Sequence, residues 1–119
     1  MKLEVGMYVR TNDGYINKIK KVNQFNVLVY GRDLFGEELN IPNNEITKAS
    51  YNIIDILEKG DIISDSVVKH EILLIDDELM VRNTGLIYDS NYYLPIKSIA
   101  IKSVITHEQI EQMAYKVGE

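Results

Sequence analysis

The sequence contains no cysteine. That excludes a disulfide framework, thiolate metal sites and thiol catalysis, and it leads us to expect a reducing, cytoplasmic setting. No apolar run approaches the roughly 18 residues that would span a bilayer. The opening MKLEV runs at once into Gly6 and a polar stretch, so a signal peptide and a membrane partner are not expected. Glycine-rich phosphate loops are missing too: Gly31 and Gly36 flank RDLF without a following Lys-Ser/Thr. No Gly-x-Ser-x-Gly elbow occurs. Prolines number two and histidines two.

What remains is an ordinary globular mixture, 45% apolar and 26% charged over 119 residues. The net charge of −5 is unevenly spread. Residues 1–50 carry seven Lys/Arg against six acids; residues 51–119 carry six against twelve. An acidic second half is a poor surface for nucleic acid, so any polyanion should meet the first half.

That first half reads as short strands joined by turns. Met7–Thr11 is followed by Asn12-Asp13-Gly14, and Asp-Gly predicts a type I′ hairpin turn. In the return strand Ile16, Ile19 and Val22 recur every three residues rather than two, which predicts a bulge. Phe25–Tyr30, Glu38–Ile41 and Ile46–Ser50 complete five strands, with turns at Asn23-Gln24 and Pro42-Asn43-Asn44. Residues 52–60 hold a possible cap at Asn52 and a terminating Gly60, predicting one to two helical turns. The second half repeats the pattern at 61–63, 67–69, 72–75, 79–82, 85–88, 92–94 and 99–104, with hairpin turns at Asp76-Asp77 and 89–91. Thr106-His107-Glu108-Gln109 predicts a capped helix to about Met113, with Ile110 and Met113 inward, then an edge strand over 114–117.

Two phrases echo each other. Leu3-Glu4-x-Gly6 recurs as Leu57-Glu58-x-Gly60 at an offset of 54, and the Pro42 and Pro95 regions match at offsets of 53 and 55. The expected fold is therefore mainly β: two tandem small bent β-barrels, over 1–50 and 61–119, joined by a short helix at 51–60 and ending in a short C-terminal helix. Each unit is too small to be robust alone, so the two are expected to pack together.

The blocks LEVGMYVRT, ITKASYNIIDILEKGD and IKSVITHEQIEQMAYKV together resemble a family of small proteins encoded by phages, prophages and genomes of Gram-positive bacteria. This resemblance implies an origin rather than an activity. The first hairpin also resembles that of KOW- and Tudor-type small barrels, with Asn17 where the KOW motif has its second glycine.

Chemistry-bearing residues are few. His107-Glu108-x-x-Glu111 lacks the second histidine of a metalloprotease helix and reads as a capped surface helix. His70 reads as a polar strand residue, and Asp76-Asp77-Glu78 as a solvated turn without calcium-loop spacing. No catalytic residue, metal ligand or cofactor is expected. The candidate binding surface is Arg10, Tyr15, Lys18, Lys20, Lys21 and Arg32, basic side chains bordered by aromatics. The leading expectation is a non-enzymatic module contacting a protein partner, such as a host nucleic-acid enzyme or defence protein that it inhibits. The alternative is an RNA- or DNA-binding module acting through the basic hairpin.

Overall fold

A computed structural model describes residues 2–31, 37–65, 68–83 and 93–113. The chain divides into two compact units, Met1–Ile56 and Leu57–Glu119. Among the described residues the fold is mainly β, with two five-stranded antiparallel sheets and one α-helix. Among the described residues no helix is long and apolar enough to cross a membrane.

The first sheet contains β1 (Tyr8–Thr11), β2 (Ile16–Val22), β3 (Asn26–Tyr30), β4 (Glu38–Pro42) and β5 (Ile46–Ser50), in the spatial order β4-β3-β2-β1-β5. Its apolar side chains fall on one face by two-residue alternation. Val9, Ile19, Val27, Val29, Ile41 and Ile46 form the core, with Leu3, Met7 and Ala49 against it. Each such burial contributes about 1.5–3 kcal/mol before chain entropy is subtracted. The expected β2 bulge lies between Ile19 and Lys21.

The β1–β2 turn differs from expectation. Gly14 has φ 84°, but Asp13 does not share positive φ, as a type I′ turn requires. Instead Thr11 organises the loop. Its carbonyl accepts from Gly14 N–H (3.0 Å), and its Oγ1 from Tyr15 N–H (3.1 Å). A three-residue turn with a left-handed glycine results. The doubly positive geometry occurs at Asp76 (φ 51°) and Asp77 (φ 64°), the expected hairpin turn of the second unit.

A 3₁₀ turn at Ile53–Ile56 closes the first unit. Asn52 Oδ1 accepts from Ile54 N–H (3.1 Å), the expected cap. This turn ends well before Gly60, so Gly60 does not terminate a helix. Its φ of 92° serves the tight turn in which Asp61 N–H reaches the Glu58 carbonyl (3.1 Å).

The second sheet contains β6 (Ile62–Ser64), β7 (Lys69–Ile75), β8 (Glu78–Asn83), β9 (Leu94–Pro95) and β10 (Ser103–Ile105), in the order β10-β6-β7-β8-β9. Numbered within its own unit, each sheet runs 4-3-2-1-5, so the two are wired identically. Segments expected as two strands at 67–69 and 72–75 are one strand, β7, because His70 and Glu71 continue the ladder opposite Asn83 and Arg82. Val67, the strand expected at 85–88, Tyr92, the turn at 89–91 and the edge strand at 114–117 lie outside the described residues. Buried here are Leu57, Ile63, Ile72, Val81 and Ile96, with polar Asp61, His70 and Thr106.

The echoed phrases sit at matching places. Gly6 N–H bonds to the Ile19 carbonyl and Gly60 N–H to the Ile72 carbonyl, both at 2.9 Å. Pro42 and Pro95 each lead from the fourth strand into a 3₁₀ turn with the same backbone angles within a degree. Helix α1 (His107–Met113) starts as expected. Thr106 Oγ1 accepts from Gln109 N–H (3.4 Å), and Gln109 Oε1 accepts from Thr106 N–H (3.0 Å), a reciprocal capping box. Met113 is 77% exposed, against expectation: at the last position of a seven-residue helix it projects beyond the packed side.

Candidate functional site

Strand β2, INKIKKV, alternates exposed lysines with buried Asn17 and Ile19 until the bulge turns Lys20, Lys21 and Val22 outward together. Lys18 pairs across the ladder with Tyr8, and its Nζ stands 5.6 Å from the Tyr8 ring centroid. Lys20 Nζ stands 5.7 Å from the Tyr30 ring and forms an ion pair with Glu38. The Glu38 hydrogen bond, then its charge, raises the Lys20 pKa, so Lys20 stays cationic. Lys18, Lys20 and Lys21 are thus exposed, Lys18 beside Tyr8 and Lys20 beside Tyr30.

Arg10 does not join them. It has no exposed surface, and its Nη1 donates to the Ile56 carbonyl at 3.0 Å. Val9 takes the core face, so Arg10 points to the other side, where the 3₁₀ turn at Ile53–Ile56 packs against β1 and receives it. A buried guanidinium needs an acceptor, and this carbonyl supplies one. Arg32 lies outside the described residues.

Tyr15 is 45% exposed and stands apart from the lysines. It lines a cleft of about 270 Å³ with Thr11, Asp13, Asn17, Leu39, Asn40, Ile41 and Glu45. Local chemistry shapes this cleft. The Thr11-centred turn delivers Asp13 and Tyr15 to one wall. Leu39, 51% exposed, and Ile41 come from β4. Asn12 N–H donates to the Glu45 carbonyl (2.9 Å), tying the hairpin tip to the 3₁₀ turn at Asn43–Glu45. Asn17 is 7% exposed and fixed by its Nδ2 bond to the Tyr30 carbonyl (3.1 Å).

Among the described residues the lining combines apolar walls, four amide or hydroxyl groups and two carboxylates, with no basic residue. A cavity of that chemistry favours a cation carried on an apolar stem. Sequence reasoning found Tyr15 but not its neighbours, because residues 11–17 and 39–45 are distant in sequence and are brought together only by folding. The one local signal was the Asp-Gly turn.

The acidic segment at the start of the second unit is also organised. Asp61 is fully buried; its Oδ2 accepts from Glu58 N–H (2.8 Å) and its Oδ1 from His107 N–H (2.9 Å). His70 is 6% exposed, with Nε2 3.5 Å from Asp65 Oδ2. In the first unit the counterpart of Glu58 is Glu4, which accepts a hydrogen bond from the Tyr51 hydroxyl. That bond lowers the Glu4 pKa and raises that of Tyr51. No family model, curated protein or solved structure matches the chain significantly.

Proposed function

We propose that the protein is a non-enzymatic binding module whose first unit docks a partner protein by admitting a lysine or arginine side chain to the Tyr15 cleft. The observation that carries this reading is the lining: Asp13 and Glu45 supply negative charge beside the apolar surfaces of Tyr15, Leu39 and Ile41. Such a cleft rewards a long aliphatic stem and a charged head together. We read each five-stranded sheet as the wall of a small bent barrel of Tudor or KOW type. Within a phage-type accessory protein, the partner is a host or phage protein presenting a basic loop, with inhibition of a host nucleic-acid enzyme or defence system as the biological outcome.

The test is a ¹⁵N-resolved NMR titration with the blocked amides of lysine, arginine and glutamine. The cations shift Tyr15 and Asn17 resonances saturably, glutamine amide does not, and Asp13→Lys with Glu45→Lys abolishes the response. Equal shifts from all three ligands, or none from the cations, would sink the reading.

A second reading rests on a different observation, the exposure of Lys18, Lys20 and Lys21 along β2 with Tyr8 beside Lys18 and Tyr30 beside Lys20. Phosphate contacts and base stacking would make this a face for single-stranded nucleic acid. Two of its lysines already stand over the rings and one is paired with Glu38, which leaves less charge and less ring surface for a strand. Alanine at the three lysines should remove roughly three phosphate contacts from the salt dependence of binding. Absence of binding to single- or double-stranded probes at about 50 mM salt would remove this reading.

A further inference from the structure

Helix α1 opens where two glutamates converge on one histidine nitrogen. His107 Nε2 lies 2.9 Å from Glu58 Oε1 and 2.6 Å from Glu108 Oε1. One donor atom from each of the three side chains falls within 4.8 Å of the others. All three residues are partly buried, with Glu108 the most enclosed at 19% side-chain exposure. The contact is also far from local, since Glu58 precedes His107 by 49 residues.

The backbone beneath these donors is fixed. The buried Asp61 carboxylate grips the N–H of Glu58 with one oxygen and that of His107 with the other. Gly60 makes room for the histidine: a Cβ at Gly60 would lie 3.2 Å from His107 Cβ. Two chain segments are therefore locked at the positions from which Glu58 and His107 project.

A protonated imidazole is attracted to these carboxylates, and Glu111 Oε1 stands 3.8 Å from its Nδ1, but it leaves the crowding at Nε2 unresolved. Its single Nε2–H points well at one acceptor, whereas two carboxylate oxygens approach that nitrogen within 3 Å. A cation at the centre serves all three donors at once, and two carboxylates with a neutral imidazole balance a dication. Zinc takes nitrogen and carboxylate oxygen at about 2.0–2.2 Å, which sets ligand atoms about 3.3–3.5 Å apart in a tetrahedron. To reach that spacing the histidine nitrogen stands off by about 0.5 Å more from Glu58 and about 0.8 Å more from Glu108, small movements for glutamate side chains. An imidazole donor suits zinc and its transition-metal neighbours, whereas magnesium and calcium prefer an all-oxygen set.

The first unit supplies an internal comparison. Its equivalent glutamate, Glu4, faces the phenol of Tyr51, so the same frame holds an oxygen acid there instead of an imidazole flanked by a second carboxylate. The mixed donor set belongs to the second copy, where the sequence pattern His107-Glu108 meets the repeated glutamate.

We propose that the second unit binds one zinc-class divalent cation through Glu58 Oε1, His107 Nε2 and Glu108 Oε1, with water as the fourth ligand. The ion acts as a structural clip, closing the loop between the start of the unit and helix α1. Calorimetric titration of the chelator-treated full chain with zinc chloride tests this, alongside the visible spectrum with cobalt. The expected result is one zinc per chain, a cobalt spectrum of tetrahedral type and a raised Tm with zinc. Glu108→Gln weakens binding at least about tenfold, and His107→Gln abolishes the cobalt spectrum. Circular dichroism checks folding; if His107→Gln unfolds, Glu108→Gln carries the test, because Glu108 takes no part in the Asp61 bonds. No stoichiometric zinc binding, variants that bind as tightly as the parent, or equal competition by magnesium overturns the proposal.

Discussion

The guanidinium of Arg10 donates to the carbonyl of Ile56 at 3.0 Å, with Arg10 wholly buried. An arginine that sequence reading places on a binding surface is thus a fastener between β1 and the turn that ends the first unit. Arg10→Ala removes the packed stem and orphans a carbonyl, and should cost about 3 kcal/mol. Arg10→Met keeps most of the stem and should cost about 1–2 kcal/mol. Urea unfolding measures both; equal or negligible losses would contradict this role.

The paired glycines should respond unequally to alanine. Both Gly6 and Gly60 adopt φ near 90°, where a side chain is strained. An added Cβ at Gly6 meets Tyr51 Cε1 at an ordinary 3.7 Å, but at Gly60 it meets His107 Cβ at 3.2 Å. Gly6→Ala should cost about 1 kcal/mol and Gly60→Ala about 2 kcal/mol or more. Thermal unfolding of the two variants gives the comparison.

Glu4 and Tyr51 define a pH window. The hydrogen bond from Tyr51 lowers the Glu4 pKa from its ordinary 4.5, so its stabilising effect is complete above that value and is lost as pH falls through the lowered one. The same bond raises the Tyr51 pKa from 10.0, so the contribution is complete below 10.0 and is lost as pH rises through the raised value. Tyr51→Phe should move the Glu4 titration back toward its ordinary value. A ¹³C carboxyl titration that leaves Glu4 unmoved would show that the bond is not its cause.

The Asp76-Asp77 turn is chemically improvable. Both residues hold positive φ, a geometry that Asn-Gly adopts with less strain, and two adjacent carboxylates repel. Asp76→Asn with Asp77→Gly should stabilise the protein by about 1 kcal/mol. An unchanged or lowered urea midpoint would count against the turn assignment.

Much of the fold was legible because β-branched runs and turn residues agree in the first fifty positions. Ile46–Ser50 is observed at its expected bounds, and the β2 bulge followed from the spacing of Ile16, Ile19 and Val22. The repeat was visible because Gly6 and Gly60 each occupy a backbone geometry that favours glycine. Arg10 was misplaced because its burial depends on a turn more than forty residues away, whereas arginine is ordinarily exposed. The Asp-Gly signal pointed to the right place but the wrong turn, since the Thr11 hydroxyl competes for the Tyr15 N–H. The cleft and the Glu58–His107–Glu108 cluster were hidden for a shared reason: each joins segments distant in sequence, and no local pattern records the pairing.

Identical wiring gives the chain two interchangeable slots while it folds, since β5 and β10 each pair beside the first strand of a unit. The buried polar residues work as keys that reject the exchange. With β10 beside β1, Arg10 would be buried without the carbonyl that follows β5. With β5 beside β6, Asp61 would lose the amide of His107. Either mistake takes a hydrogen bond from a buried charged group, at a cost of about 1.5–3 kcal/mol, so the native pairing is favoured over the exchange.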